Sequence, residues 1–326
     1  MRLLTLPRPG ELAWREVLAP EPATGEVRLR VANVGICGSD IEVFQGRRPA
    51  PIRHGCPVIG HEGSGVIDAL GPGVGGLRVG DRATCVEGWG ALADHLITSP
   101  TNLLVVEERI DLADACLVEV LPGVAMAAWR TGIGRSCDVL VVGQGLSGLL
   151  LTRLVSIHGC RRLVVLDPSV RKASLAREFG ADDAREGLLA DLAVDLRSDY
   201  PNGFDVAILA TSRCLVDDVV PLMRPRSRVI VYGGLEDAVV DVMALHRRSV
   251  SLVKEGEGIN GVLEARGVWR EALQLVYDGL LPLTRLRTHD FSFAEAARAF
   301  AVRVDDPDAI HVVLHNNGPI PLVELP

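Results

Sequence analysis

The sequence predicts an α/β protein with two domains, a barrel-like β domain and a doubly wound parallel sheet with helices on both faces. Up to about residue 125, short strand patterns lie between Gly- and Pro-rich turns. From Cys137 onward, apolar runs of four to six residues are followed by helix-like segments, a pattern typical of a parallel sheet covered by helices. We expect residues 1–127 and 268–326 to form the first domain and residues 128–267 the second.

Length and composition support two separate cores and exclude some partners. The chain has 326 residues, of which 48% are hydrophobic and 23% charged, enough for two domains. The formal net charge is −8 and the positive residues are dispersed, which argues against nucleic-acid binding. The N-terminal apolar run is broken by Pro7 and Pro9, and no apolar stretch approaches the ~18 residues of a membrane span. We therefore expect a cytoplasmic protein without a membrane partner.

The strand patterns can be placed one by one. In the first domain, GEVRLRVANVG (25–35) alternates like a strand, and residues 60–88 contain two more. A final helix and strand are expected in FAEAARAFAVRV (293–304) and AIHVVLHN (309–316). In the second domain, the expected strands are DVLVVG (138–143), RRLVVLD (161–167), FDVAILA (204–210), SRVIVYGG (227–234) and SVSLVKEG (249–256), with helices in LSGLLLTRLVSIHG (146–159) and SVRKASLAREFG (169–180).

A glycine motif follows the first strand of the second domain. VVGQGLSG places Gly143, Gly145 and Gly148 in G-x-G-x-x-G spacing, with Leu146 opening the following helix. These glycines would permit the tight turn, the approach of a pyrophosphate and close packing of helix on strand. The helix N-terminus would supply N–H groups and partial positive charge to the phosphates. The motif therefore predicts a Rossmann dinucleotide site.

The next strand indicates which dinucleotide is bound. It ends at Asp167, 19 residues beyond Gly148, close to the ~20-residue offset of the carboxylate that binds the ribose hydroxyls of NAD. Arg171 and Lys172 lie near enough to leave room for NADP. A glycine turn followed by a solvated aspartate is the alternative interpretation. NAD is the expected cofactor.

Cysteine, histidine and glutamate residues form a candidate metal site in the first domain. Seven cysteines, an odd number spread over a long chain, do not suit a disulfide framework. Cys37 lies in VGICGSDIEV, and His61 and Glu62 lie in GHEGSG. Thiolate, imidazole and carboxylate ligands together suit zinc with one open position, and such an ion would acidify a bound alcohol. The alternatives are a packed cysteine and a loop histidine with a backbone partner.

These residues belong to a series of motifs that resembles a known superfamily. GICGSD, GHEGSGVI, VGDRATC, GALADHL, VEVLPGVAMAAW and VLVVGQGLSG occur in the order found in the zinc-dependent medium-chain dehydrogenases, which include alcohol and polyol dehydrogenases. The resemblance runs from about Ala32 to Leu314. It implies a GroES-like β-barrel catalytic domain, to which the C-terminal segment returns, with a Rossmann domain inserted.

The resemblance also assigns metal ligands. Cys37 and His61 match the catalytic zinc ligands, and Glu62 matches the ligating glutamate of the sorbitol dehydrogenase branch. Glu119 in VEVLP matches that branch's glutamate near the metal or its water, where alcohol dehydrogenases have cysteine. Glu119 therefore favours polyol and sugar substrates. Its alternative interpretation is a carboxylate that faces a helix dipole.

Three further residues are assigned in the same way. Ser39 matches the hydroxyl residue that takes the substrate proton, and Asp40 matches the carboxylate that orients the histidine ligand. Glu42 stands where alcohol dehydrogenases often have a proton-relaying histidine, and the glucose dehydrogenase branch is similar here, with C-G-T-D-x-E. Glu42 could relay a proton or bind a sugar hydroxyl, and a solvated loop glutamate is an equal alternative.

One part of the family pattern is missing. Many relatives carry a four-cysteine structural zinc lobe, but only about a dozen residues separate Asp81 from Asp94, and no C-x-x-C pair occurs in the chain. We therefore expect one catalytic zinc and no structural zinc in each chain.

The resulting hypothesis is an NAD- and zinc-dependent dehydrogenase acting on a secondary hydroxyl of a polyol, sugar, cyclitol or related alcohol. The first alternative is a zinc-free quinone or enoyl reductase that uses NADPH, and the second is a non-catalytic dinucleotide-binding protein. The expected partners are a small hydroxylated substrate and further copies of the chain, as a homodimer or homotetramer. The resemblance places the dimer contact near SVSLVKEG. The sequence does not choose the substrate, although Phe44, Trp89 and the helix of the 120s are candidate pocket walls.

Overall fold

The computed structural model describes residues 1–129, 132–233, 239–254 and 262–317, without the side chains of residues 262–266. The strands are β1 Arg2–Arg8, β2 Glu11–Glu16, β3 Val27–Gly35, β4 Ile52–Arg53, β5 Cys56–Pro57, β6 Glu62–Leu70, β7 Arg82–Cys85, β8 His95–Thr98, β9 Leu103–Val105, β10 Asp138–Val142, β11 Arg162–Asp167, β12 Asp183–Glu186, β13 Phe204–Leu209, β14 Met223–Val231, β15 Ser251–Lys254, β16 Arg287–Ser292 and β17 His311–His315. The α-helices are α1 Gly38–Phe44, α2 Leu112–Ala115, α3 Leu121–Trp129, α4 Leu146–His158, α5 Val170–Glu178, α6 Leu189–Asp199, α7 Val216–Val219, α8 Val242–Arg248, α9 Val262–Tyr277 and α10 Ala296–Asp305.

The chain divides into two compact units. The first contains Met1–Glu119 and Pro282–Pro326, and the second contains Val120–Leu281. The sequence-based boundaries, at 127/128 and 267/268, fall inside the second unit. In the structure, α3 and α9 both lie entirely within that unit and pack together, so the second unit extends beyond both predicted boundaries.

The first unit is built mainly of antiparallel strands. Its large sheet has the order β16-β17-β3-β6-β7-β9, and β8 also pairs with β3. Among the described strands of this sheet, only β16 and β17 pair in parallel. Alternate residues of β3, among them Val27, Leu29 and Val31, are buried, as expected for a strand with one face on the core. Phe293 and Phe300 complete this core from the C-terminal segment.

The described strands of the second unit form one parallel sheet. Its strand order is β12-β11-β10-β13-β14-β15, which is 3-2-1-4-5-6 when counted from β10 and is the order of a doubly wound dinucleotide-binding sheet. All residues of β10 are buried, because a central parallel strand is covered on both faces. The order reverses between β10 and β13, and the carboxyl ends of strands at such a switch point are where ligands bind.

The fold class predicted from the sequence is confirmed. The strand expected at 25–35 is β3, the C-terminal helix expected at 293–304 is α10, and the last strand is β17. A capping box in which Glu295 bonds Ser292 starts the turn that leads into α10. Three residues of the predicted strands, Gly234, Glu255 and Gly256, lie outside the described residues.

One prediction on membrane segments needs correction. Leu112–Trp129 is long and apolar enough to span a membrane by length and composition, although the sequence led us to expect no such stretch. Within the described residues it is the only segment of this kind, and 67% of it is buried inside the protein. It includes Asp114 and Glu119 and is divided between α2, a 3₁₀ turn and α3, as expected for core structure.

Candidate metal centre and dinucleotide site

Cys37 begins helix α1 and is fixed by the helix itself. It is the N-cap residue, and its backbone N–H donates a hydrogen bond of 2.9 Å to the Asp40 carboxylate. This is the backbone half of a capping box, which satisfies an N–H group that the helix cannot. The half-buried Cys37 side chain is therefore presented at a well-defined helix start.

Asp40 also fixes the histidine of the site. Its second carboxylate oxygen accepts hydrogen bonds from the Gly60 backbone, at 3.0 Å, and from His61 Nδ1, at 3.1 Å. Asp40 is completely buried. Because Nδ1 is held in this way, Nε2 is the ring nitrogen left for other partners, and it lies 3.5 Å from Ser39 Oγ. Such a carboxylate–histidine pair orients a metal-ligating imidazole.

Cys37, His61 and Glu62 converge in the fold. Their sulfur, nitrogen and oxygen ligand atoms all lie within 4.8 Å of one another, and within the described residues this is the only such group of three or more. An ion at zinc-ligand distances of about 2.0–2.3 Å fits between atoms with this spacing. All seven cysteines are free in the structure.

A histidine from the C-terminal strand holds Glu62. His311 in β17 lies 2.7 Å from Glu62 Oε2 through its Nε2, and both side chains are buried. Glu62 pairs with Gly35 in the sheet register, and β17 lies on the other side of β3. A Cβ atom at Gly35 would overlap both Glu62 Oε2 and His311 Nε2. The missing side chain at Gly35 therefore allows Glu62 and His311 to meet across β3.

The other oxygen of Glu62 tests whether the site fits a metal. Glu62 Oε1 is buried and has no hydrogen-bond partner. A buried carboxylate oxygen without a partner is costly, and this oxygen belongs to the carboxylate that lies beside Cys37 and His61. A cation would supply the missing partner, so the residues present fit a zinc ion.

The electrostatics of the cluster agree with this fit. Burial raises the pKa of Cys37, and Glu62 adds to the increase. Burial lowers the pKa of His61, but Asp40 and Cys37 outweigh it, so the pKa stands well above its usual value. Burial would raise the pKa of Glu62, but His311 outweighs it and the pKa is lowered. A cation would displace protons from Cys37 and His61 when it binds.

Glu119 lies close to the cluster but outside it. It is half-buried in the turn before α3 and is not among the three converging ligands. Burial raises its pKa to about 7; His61 opposes the shift and Glu62 adds to it. Glu119 is therefore within electrostatic reach of the cluster.

The remaining predicted site residues of the first unit lie around α1. Ser39 and Glu42 are both half-buried and stand three residues apart, which places them on one side of the helix. Phe44 packs on Phe300, with ring centroids 5.1 Å apart, and is therefore partly a core residue. Trp89 packs against the imidazole of His61 at 4.5 Å, so it covers one side of the candidate metal ligand.

The glycine turn of the second unit has the geometry that a dinucleotide site needs. Gly143 has φ of +89°, and a side chain there would meet the carbonyl of Ala210. A Cβ atom at Gly148 would overlap the Gly143 carbonyl, so its absence lets α4 pack on the turn. Gly145 is the N-cap of α4 and has open space around it, directly before Leu146. Open space is needed there for a pyrophosphate to approach the backbone.

Asp167 ends β11 beside this turn. Its carboxylate accepts hydrogen bonds from the backbone N–H groups of Gln144, at 2.7 Å, and Ser169, at 2.8 Å. Asp167 is 7% exposed, so it is fixed at the edge of the glycine turn. Arg171 is exposed and Lys172 half-buried in the first turn of α5.

Sequence reasoning missed His311 and Gly35. His311 is 249 residues from its partner Glu62, and no local motif connects them. The available signals were a histidine inside the apolar run AIHVVLHN and a glycine inside the strand pattern that precedes Cys37. A glycine in a strand interior often marks a close approach, but it does not say of which groups.

Two domain families match the chain. The alcohol dehydrogenase GroES-like domain matches residues 23–107, which lie in the first unit. The zinc-binding dehydrogenase domain matches residues 148–278, which lie in the second unit. The first match includes Cys37, His61 and Glu62, and the second includes Gly148 and Asp167.

Whole-length relatives agree with the two domain matches. A sorbitol dehydrogenase of Halalkalibacterium halodurans is 26% identical, over 94% of this chain and 96% of its own length. An L-idonate 5-dehydrogenase of Vitis vinifera is 25% identical, over 91% and 90%. The crystal structure of the alcohol dehydrogenase rspB of Escherichia coli CFT073 with NADH has the same fold, with a TM-score of 0.83, 24% identity and coverage of 97% and 99%. The chain belongs to the medium-chain dehydrogenase/reductase superfamily, with a GroES-like domain and a zinc-binding dehydrogenase domain.

Proposed function

We propose that the protein is a zinc- and NAD-dependent dehydrogenase that oxidises a secondary hydroxyl of a polyol, sugar, cyclitol or related alcohol. The observation that carries the proposal is the cluster of half-buried Cys37 with buried His61 and Glu62, together with the unpartnered Glu62 oxygen. A zinc-free reductase would leave that oxygen without a partner. The names of the relatives, a sorbitol and an L-idonate dehydrogenase, support a hydroxylated substrate.

Cys37, His61 and Glu62 would hold zinc, with Glu119 near the open position. Zinc, when bound, supplies a Lewis acid that lowers the pKa of a substrate hydroxyl. Asp40 keeps the His61 ring in orientation through Nδ1, and His311 keeps Glu62 in orientation through Oε2. These two buried contacts spare the ligands the entropy cost of ordering when the ion binds.

Ser39 would accept the proton of the substrate hydroxyl at Oγ, close to His61 Nε2. Glu42, on the same side of α1, would pass that proton to solvent or bind a substrate hydroxyl. NAD, when bound, accepts the hydride. The turn at Gly143, Gly145 and Gly148, with Leu146 and the start of α4, would bind its pyrophosphate, with Arg171 nearby, and Asp167 would bind its ribose.

The experiment that tests this function is metal analysis combined with turnover. Protein purified without added zinc should contain about one zinc per chain and reduce NAD with at least one member of a polyol and sugar panel. Cys37→Ser should lose the zinc and at least about 10³-fold in kcat/KM, since the ion supplies several kcal/mol. Cys56→Ser, in the same unit and outside the cluster, is the matched control. Zinc-free protein with undiminished turnover would overturn the proposal.

We also propose that the enzyme works in the cytoplasm as a homodimer or homotetramer. Strand β15 ends the parallel sheet of the second unit, and Leu252 on it is exposed, so a second copy could extend the sheet there. Sedimentation of the purified protein as a monomer would contradict this.

A further inference from the structure

The stretch that leads from the end of α1 to the candidate ligand His61 carries an unusual charge. From Val43 to His61 the chain has three arginines, at 47, 48 and 53, and no acidic residue. The whole chain has a formal net charge of −8, so this stretch carries a positive charge in a protein that is negative overall. We call residues 45–55 the arginine segment. It directly follows α1, which carries Ser39.

The backbone fixes the arginine segment close to the candidate metal centre. The N–H groups of Arg47 and Arg48 donate to the carbonyl of Glu42, at 2.9 and 3.2 Å. The segment then forms the β4–β5 hairpin, whose turn at His54 and Gly55 has positive φ at both residues, as a two-residue hairpin turn requires. The arginine side chains therefore extend from a folded part of the chain.

Arg48 is connected to the candidate zinc ligand His61 through one aromatic ring. The guanidinium of Arg48 lies over Trp89, 5.7 Å from the ring centroid. Trp89 in turn packs on His61 at 4.5 Å. A cation placed over an indole is stabilised by the ring and gives up part of its freedom. Arg48 is exposed, so its guanidinium keeps the ability to bind a second partner.

Arg53 lies close to Gly90, the residue that follows Trp89. Its Cγ is the atom nearest to the position of a Cβ at Gly90, at 3.4 Å, and Gly90 bonds to the Gly60 carbonyl next to His61. Burial raises the pKa of Cys85 to about 12, and Arg53 opposes part of that shift. Its charge is therefore felt inside this part of the unit.

Neither Arg48 nor Arg53 forms an ion pair with any carboxylate of the described residues. Other arginines of the first unit do: Arg2 pairs with Asp94 and Arg28 with Asp68. A guanidinium offers a planar fork of N–H donors that matches a carboxylate better than a hydroxyl. The two guanidinium groups of the arginine segment can therefore bind an anion.

We infer that Arg48 and Arg53 recognise a carboxylate of the substrate, so that the enzyme prefers a sugar acid to the neutral polyol of the same length. Because Trp89 contacts both Arg48 and His61, a substrate bound through a hydroxyl at the metal centre would extend past Trp89 to place a terminal carboxylate at Arg48. This inference rests on the proposed dehydrogenase function and narrows its substrate class. The carboxylate is bound and does not react, so the proposed oxidation of the hydroxyl is unchanged.

Matched substrate pairs test the inference. Gluconate and sorbitol, and xylonate and xylitol, differ in a terminal carboxylate and are assayed with the zinc-loaded enzyme and NAD. We expect kcat/KM to be at least ten-fold higher for the acid of each pair. The advantage should shrink as salt is raised, because exposed charges are screened. Equal or better turnover of the neutral partner would overturn the inference, and so would a preference for sorbitol 6-phosphate over gluconate.

Variants of the two arginines test whether these side chains bind the substrate carboxylate. Arg48→Gln and Arg53→Gln should each lower kcat/KM for gluconate by about ten-fold or more relative to their effect on sorbitol, since a hydrogen bond to a charged group is lost. Arg47→Gln is the control, because its guanidinium bonds Gln45 and makes no contact with Trp89 among those described. Equal losses for acid and polyol in the two variants would point to a structural role and contradict the inference.

A binding measurement separates this inference from the proposed function. Calorimetric titration of the zinc-loaded protein with gluconate and with sorbitol needs no turnover. Gluconate binding that is tighter than sorbitol binding and is weakened in Arg48→Gln would support carboxylate recognition even if neither compound were oxidised. Turnover of neutral polyols without any preference for acids in binding would leave the dehydrogenase proposal standing and overturn the inference.

Discussion

The two candidate sites are built from different parts of the polypeptide. In the first unit the site consists of side chains, and Glu62 and His311 come from strands on opposite sides of β3. In the second unit it consists mainly of backbone, at the turn from Gly143 to Gly148. Both need a glycine for the space it leaves, yet Gly35 makes room for a hydrogen bond between side chains, whereas Gly148 makes room for a helix.

The two sites also differ in how fully the protein supplies hydrogen-bond partners to their carboxylates. Both oxygens of Asp167 accept backbone hydrogen bonds, whereas Glu62 keeps one buried oxygen without a partner. A fully satisfied site stays folded without its ligand, while an unsatisfied one gains stability from it. We therefore expect loss of the ion to destabilise the metal cluster, and added side-chain atoms to disturb the glycine turn.

Among the variants that test the surroundings of the two sites, the largest effect is expected from Gly148→Ala. The new methyl group would overlap the Gly143 carbonyl, and backbone atoms cannot move aside as a side chain can. The turn and α4 should separate, with NADH affinity reduced about 100-fold or more, since misplacement of this size is that costly. Fluorescence titration with NADH measures it.

Gly145→Ala is the informative counterpart of that variant. In the free protein its methyl group meets nothing within 4 Å, so the thermal unfolding temperature should stay close to that of the parent. NADH should nevertheless bind more weakly, because the pyrophosphate needs that space. If Gly145→Ala binds NADH as well as the parent does, the turn is not the phosphate site.

A smaller effect is expected from Gly35→Ala, because the groups that it displaces are side chains. The methyl group would separate Glu62 from His311, and His311→Gln would weaken the same contact. Each should lower zinc affinity by about 10- to 100-fold, as loss of a partner of a metal ligand does. Competition with a chromogenic chelator measures the affinity directly and does not depend on turnover.

Two matched variants serve as controls for the metal site. Gly75→Ala adds a methyl group where nothing lies within 4 Å. His315→Gln changes a histidine of the same strand that pairs with Asp290 at the surface. Neither should change zinc affinity. Unchanged zinc affinity in Gly35→Ala and His311→Gln would show that Glu62 needs no support to bind the ion.

The sequence predicts local features well and distant contacts poorly. Gly143 to Gly148 and Asp167 lie within one βαβ stretch, so spacing along the chain determines their geometry. The family resemblance predicted that Asp40 orients His61, and the structure places the two side chains in contact although they are 21 residues apart in sequence. His311 and Gly35 gave no such signal, because their meeting with Glu62 depends on which strands pair in the sheet.

A moderate effect is expected from Asp167→Asn. The charge that would repel a 2′-phosphate disappears, while one amide oxygen remains to accept a backbone N–H. The ratio of kcat/KM for NAD to that for NADP should therefore fall about ten-fold. Asp191→Asn, an exposed position on α6, is the control. An unchanged ratio would mean that Asp167 supports the turn without facing the ribose.

The smallest effect is expected at Asp138, a carboxylate of the second unit whose negative charge is compensated by arginines of the protein itself. Asp138 is bonded by Arg161 and Arg224. Burial works to raise its pKa, but Arg161 outweighs it and the pKa is lowered. A group with a lowered pKa contributes stability above its unfolded-state pKa, near 3.9, and that contribution is lost as pH falls through the folded-state value.

Asp138→Asn should therefore lower the free energy of unfolding of chelator-treated protein by about 1 kcal/mol at pH 7, a modest value because Arg161 is half exposed. The difference should stay constant down to about pH 5 and shrink between about pH 4 and 2. Asp218→Asn, exposed on α7, should show no difference at any pH. Denaturant unfolding across this range gives the result. A difference that persists at pH 2 would mean that Asp138 acts through packing, and that charge compensation does not distinguish the second unit from the metal cluster.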